Sequence, residues 1–166
     1  VRQVNLAAQK YGSDNVMVCS FTKAAAAEIA GRDLALASDR VGTLHAFCYR
    51  ALGRPPIAED PKMLKKWAEA YPHYAFGSEG DPDDAAIEMP GADDGDRVHS
   101  QVEVLRQRMF PRKLWPAEAE VFYKTWCDFK NQEGALDFTD LIALALREIE
   151  VAPGDPRVLL VDEAQD

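Results

Sequence analysis

Val4, Leu6, Ala7, Ala8 and Tyr11 recur at roughly helical spacing with Gly12 behind them, which predicts a helix from Val1 to about Tyr11 and a glycine stop. The period then changes. Val16-Met17-Val18-Cys19 is a continuous apolar run of the kind expected of a strand covered on both faces. Ser20-Phe21-Thr22 ends it, and Thr22 is placed to cap an Ala-rich helix from Lys23 to Ala30 that Gly31 closes. The same strand, turn and helix logic returns at Val41-Gly42-Thr43. Thr43 can cap a helix through Leu44, Phe47, Cys48, Ala51 and Leu52 before Gly53 and Pro55-Pro56 end it.

From residue 55 to about 115 the pattern loosens. A short amphipathic piece runs from Met63 to Ala70, an acidic Gly/Pro/Asp-rich segment at 77–96 reads as a solvated loop, and a helix is predicted at Val98 to Met109. This stretch reads as an inserted, mostly helical subdomain. Two helices follow, about Pro116 to Lys130 and Phe138 to Glu150; Asp137 can cap the latter, with Asp140 three residues on. Pro153-Gly154-Asp155-Pro156 breaks the helix, and Arg157-Val158-Leu159-Leu160-Val161 predicts a buried strand running straight into Asp162-Glu163-Ala164-Gln165-Asp166.

Composition narrows the class. The 166 residues are about one domain's worth of chain, and 47% apolar with 28% charged residues is ordinary for a soluble globular protein. No apolar run reaches the ~18–20 residues of a membrane span and no signal-peptide pattern opens the chain, so a cytoplasmic location is expected. Cys19, Cys48 and Cys127 are odd in number and lack a CxxC pair, which argues for reduced thiols over disulfides or zinc. The net charge of −9 is uneven: residues 77–96 hold eight acidic and no basic residues, leaving 20 acidic against all 19 basic residues elsewhere. Nucleic-acid binding by the remainder therefore stays open.

The C-terminal strand carries the candidate chemistry. Asp162 and Glu163 at the carboxyl end of an apolar strand sit where open α/β sheets bind ligands. Mg²⁺ accepts one or two carboxylates, keeps waters and shares substrate phosphates, so Asp162 and Glu163 suit the metal and Glu163 also suits activation of an attacking water. Gln165 is placed to sense a γ-phosphate. This is a Walker B arrangement.

Four strings in order, SFTKAAAAEIAGR at 20–32, VGTLHAFCYRAL at 41–52, DFTDLIALAL at 137–146 and VDEAQD at 161–166, resemble the UvrD/Rep/PcrA branch of superfamily 1 DNA helicases. The resemblance covers most of the chain outside 55–115. It implies an α/β RecA-like P-loop NTPase core, a parallel sheet in three layers, split as 1–54 and 116–166 around the insertion. It implies Asp162 on Mg²⁺, Glu163 as catalytic base also near the metal, and Gln165 coupling nucleotide state to DNA. It implies Phe21, Thr22, Thr43 and His45 as contacts to single-stranded DNA; an aromatic face and hydroxyls at helix starts suit bases and phosphates. ATP and Mg²⁺ are the implied cofactors, and single-stranded and duplex DNA the implied partners.

The string departs from the family in places. Lys23 and Ala24 stand where an Asn and a basic residue are usual, and Leu44 and Ala46 where a Phe and a Ser are usual. No GxxxxGK[ST] phosphate loop occurs in the 166 residues. The expectation is thus an incomplete fragment of a larger ATP-dependent helicase, inactive alone, whose second RecA-like domain lies elsewhere in the parent chain. The alternatives are a helicase–nuclease subunit with the same motor core, or a non-catalytic remnant serving as an interaction module.

Overall fold

The computed structural model describes residues 2–31, 36–77 and 92–162. They form an α/β structure in two compact units, Val1–Arg54 with Leu141–Asp166, and Pro55–Asp140.

The first unit is built on a three-stranded, wholly parallel sheet of order β2-β1-β3. Strand β1 (Val16–Ser20) is central and buried along its length, as its unbroken apolar run requires. It pairs with β2 (Val41–Thr43) on one side and β3 (Val158–Val161) on the other. Helices cover both faces. On one, Val18, Val41 and Leu160 meet Val4 of α1 (Arg2–Tyr11) and Ile29 of α2 (Lys23–Ala30). On the other, Met17 and Cys19 meet Phe47 of α3 (Leu44–Ala51).

One expectation fails here. The C-terminal strand is not buried: alternate residues Leu159 and Val161 are 53% and 46% exposed. Its apolar sequence marks a strand for parallel pairing, but alternate side chains point to opposite faces, and the face carrying Leu159 and Val161 lines a cavity instead of meeting closely packed side chains.

The second unit is helical. Asp60 caps α4 (Pro61–Ala70), its side chain accepting from Lys62 N at 3.0 Å. Trp67 of α4 is fully buried among Val98 and Val102 of α5 (Ala92–Gln107) and Phe122, Trp126 and Phe129 of α6 (Ala117–Glu133). Its ring meets Trp126 edge-on at 4.9 Å, a geometry that adds to area burial, and its Nε1 donates to Tyr74 O at 2.7 Å. Gly134, at φ 62°, ends α6. The unit's two ends pair with each other: Ala58 N donates to Leu136 O and Leu136 N to Pro56 O, both at 2.9 Å.

Two boundaries differ from expectation. The unit runs on to Asp140 instead of ending near 115, because α6 supplies the aromatic side chains around which α4 and α5 pack. The acidic segment 77–96 is not loop throughout, since α5 begins at Ala92. Acidic residues at a helix N-terminus oppose the positive end of the dipole, and Asp96 also accepts from Gly77 N at 2.8 Å. Gly95, a poor helix former, is required there: a Cβ would collide with the carbonyl oxygens of Tyr74 and Ala75. The rest of the expected acidic loop, from residue 78 to 91, lies outside the described residues.

α7 (Phe138–Glu148) starts in the second unit and continues in the first. Among the described residues no helix is long and apolar enough to cross a membrane.

Candidate functional site

In a parallel sheet every strand ends at the same edge, and the loops leaving that edge share one surface. The strand register makes the neighbours specific: Ser20 lies opposite Thr43, and Cys19 opposite Val161. Phe21-Thr22, Thr43-Leu44-His45 and Asp162 therefore leave adjacent strand ends. Asp162 is tied to β1 directly, its N–H donating to Cys19 O at 2.8 Å. Because the chain leaves β1 toward β2 yet returns to β3 on the opposite side, the order reverses beside β1, where ligands of open α/β sheets bind.

Phe21 is 56% exposed, an unusual placement for an aromatic ring and one that leaves a face open for stacking. Thr22 caps α2, its Oγ1 accepting from Ala25 N at 3.1 Å. Thr43 does the same for α3, accepting from Ala46 N at 3.2 Å. The two threonines differ in access, for Thr22 is exposed while Thr43 is 9% exposed. Thr43 is first of all a cap; of the two hydroxyls, Thr22 is the one solvent reaches. His45, in the first turn of α3, is half-buried, and burial holds its pKa below the usual histidine value, so it is neutral at pH 7.

Asp162 is an exposed carboxylate at the end of β3. A carboxylate with solvent access fits the water-sharing coordination of Mg²⁺. Among the described residues no group of three or more His, Cys, Asp or Glu side chains converges. Glu163 and Gln165 lie outside the described residues.

Two cavities flank the sheet in the first unit. One, of 390 Å³, is lined by Gln3 and Val4 of α1, Ala25, Glu28 and Ile29 of α2, and reaches Asp162. The other, of 410 Å³, lies on the opposite face between Phe47 and Cys48 of α3 and Leu159 and Val161 of β3. Ser20 lines this second cavity; it is 1% exposed and its Oγ has no hydrogen-bond partner among the described residues. The Cys19 and Cys48 thiols, on the same wall, are pushed up by burial and stay protonated. Nothing in the sequence pattern distinguishes Ser20 from any residue at a strand end, because an orphaned hydroxyl is a property of its three-dimensional neighbours.

The second unit contains a buried ionic cluster that the sequence reading anticipated only as a cap. Asp137 and Asp140 do cap α7, Asp140 N donating to Asp137 Oδ1 at 2.7 Å. Their outer oxygens also meet two buried cations. Asp137 accepts from Arg106 Nη1 at 2.6 Å, Lys130 Nζ at 2.5 Å and Trp126 Nε1 at 3.2 Å, while Asp140 meets Arg106 at 2.5 Å and also Lys130. Burial alone would raise the Asp137 pKa; the Arg106 hydrogen bond and the charges of Lys130 and Arg106 outweigh it and hold the carboxyl at about 2.

Compared with protein-family models, with curated proteins and with solved structures, the chain finds no match in any of the three.

Proposed function

We propose that the chain is part of the first RecA-like motor domain of an ATP-dependent DNA helicase or translocase of the UvrD/Rep/PcrA kind, binding single-stranded DNA at the strand ends of its sheet. The observation that supports this most is the order β2-β1-β3, which brings Phe21-Thr22, Thr43-His45 and Asp162 to one edge although 141 positions separate Phe21 from Asp162 in the sequence.

In this reading the exposed ring of Phe21 stacks on a base, and Thr22 with the first N–H groups of α2 meets a phosphate. Asp162 is the residue that would hold Mg²⁺, which supplies charge neutralisation on nucleotide phosphates; Glu163 and Gln165 are the proposed base and nucleotide sensor. Without a GxxxxGK[ST] segment the 166 residues have no backbone cradle for β- and γ-phosphates, so they bind DNA but do not turn over ATP alone.

The test is binding of a fluorescent oligothymidylate by anisotropy at low salt. Phe21→Ala should weaken it about 5- to 150-fold, corresponding to about 1–3 kcal/mol for one stacked base. Equal binding by the wild type and the variant, or no binding by either, would overturn the reading. So would Mg²⁺-dependent ATP hydrolysis by the pure chain, since nothing in it clamps the phosphates.

A further inference from the structure

The turn joining α5 to α6 in the second unit, residues 108–116, has a composition unlike the rest of an acidic chain. Residues 106–115 read RQRMFPRKLW, four cations and no carboxylate. Arg106 turns inward to the ionic cluster, and Arg112 is paired with Glu120. Arg108 and Lys113 remain exposed, with no carboxylate paired to either among the described residues. Between and beside them stand apolar side chains that meet solvent: Met109, 88% exposed, with Phe110 and Leu114.

This turn is held stiffly. Met109 takes φ 51°, a left-handed conformation that costs an L residue about 1–2 kcal/mol and persists only where the surroundings impose it. The impositions are visible. Met109 N donates to Arg106 O and Phe110 N to Leu105 O, both at 2.9 Å, and Trp115 Nε1 donates back to Phe110 O at 2.8 Å. The Arg112 guanidinium lies 5.6 Å from the Trp115 ring and 4.7 Å from the Tyr123 ring. The two backbone bonds are those of a helix stop with its left-handed residue at Met109, and this stop leaves the methionine side chain out in water with Arg108 and Lys113 beside it.

We propose that this turn is a second DNA-binding element: Arg108 and Lys113 take backbone phosphates, and Met109 and Phe110 press against the bases or base pair beside them. Cations serve phosphates and an apolar tip serves base faces, and a strand of nucleic acid presents both at once. The inference rests on the reading of the chain as DNA-binding, but it uses residues of the second unit only.

The experiment uses the full chain and a labelled hairpin duplex with a single-stranded tail, followed by anisotropy across a salt series. Arg108→Ala with Lys113→Ala should weaken binding at least 5-fold and lower the slope of log K against log salt by about 1.4–1.8, the loss of two phosphate contacts. Met109→Ser with Phe110→Ser should weaken binding without changing that slope. All four side chains are exposed, and circular dichroism verifies that both variants fold. If both turn variants bind like the wild type while Phe21→Ala loses binding, the turn proposal is overturned and the sheet-edge site stands. If the turn variants lose binding and Phe21→Ala does not, the sheet-edge site falls and the turn stands. Absence of binding by the wild type overturns both. Unchanged DNA binding by the turn variants, together with lost binding of a polyglutamate peptide, also overturns the proposal by assigning the turn to an acidic polypeptide.

Discussion

Arg106, near the end of α5, reaches Asp137, 31 positions later and immediately before α7, at 2.6 Å. The carboxylate is fully buried, and Lys130 brings a second cation to it from α6. Three helices are thereby tied to one pair of oxygens. Such a cluster is expensive to desolvate, and its worth lies in what breaking it leaves behind.

Asp137→Asn should therefore destabilise the chain by about 3–5 kcal/mol, since Arg106 and Lys130 would keep their burial and lose their principal counter-charge. Urea denaturation measures this. Replacing Lys130 by Met in the same chain should recover part of the loss, and a loss below about 1 kcal/mol for the single change would show that the cluster is solvated in practice.

Glu59 sits beside the same cluster with one oxygen accepting from Phe138 N at 3.2 Å and the other buried, without a hydrogen-bond partner among the described residues. Burial pushes its pKa up to about 7 from 4.5, with Asp137 and Glu103 acting in the same direction and the Phe138 N–H opposing. The folded chain thus keeps a proton that the unfolded chain releases near 4.5, so this contribution to stability is complete below 4.5 and is lost as pH rises toward about 7. Asp137 has the opposite sign: held at about 2 against 3.8, its contribution is present above 3.8 and disappears as pH falls toward 2. His99, lowered from 6.5 chiefly by burial, loses its contribution as pH falls below 6.5. Glu59→Gln removes only the first of these. Its melting temperature relative to the wild type should rise by several degrees between pH 5 and pH 7.5; a constant difference would refute the assignment.

Gly95→Ala is expected to cost about 1–3 kcal/mol despite the better helix propensity of alanine, because the added methyl meets backbone carbonyls that cannot rotate away. Thermal denaturation decides it. A stabilised variant would show that α5 moves away from Tyr74 and Ala75 without penalty.

Thr43→Ala and Phe21→Ala should separate the two properties of the sheet edge. The first removes a buried cap and should cost about 1 kcal/mol of stability. The second removes an exposed ring and should leave stability within about 0.5 kcal/mol while weakening binding of single-stranded DNA. Were Thr43→Ala to abolish DNA binding at unchanged stability, its hydroxyl would have to serve phosphate instead of Ala46 N.

The local signals were readable because each is enforced by a few neighbouring residues. The run Val16–Cys19 is the covered strand its continuity predicts, Thr22 and Thr43 stand at true helix starts, and Asp137 with Asp140 caps α7 at their three-residue spacing. Long-range consequences were not readable in the same way. Leu159 and Val161 read as core, yet their exposure depends on what covers their face of β3, and the helix start at Ala92 was hidden because Gly95 looks like a breaker until Tyr74 and Ala75 are placed against it.

What the order of residues determined alone is thus most of the elements and their caps, governed by backbone propensity and spacing over a few residues. What only the tertiary structure decided is which of those residues meet: the strand order that gathers Phe21, Thr43 and Asp162, the pairing of Asp137 with Arg106 and Lys130, the orphaned hydroxyl of Ser20 and the strained turn at Met109. Burial and partnership are set by side chains distant in sequence, and the desolvation that makes a carboxylate unusual exists only after those side chains close around it.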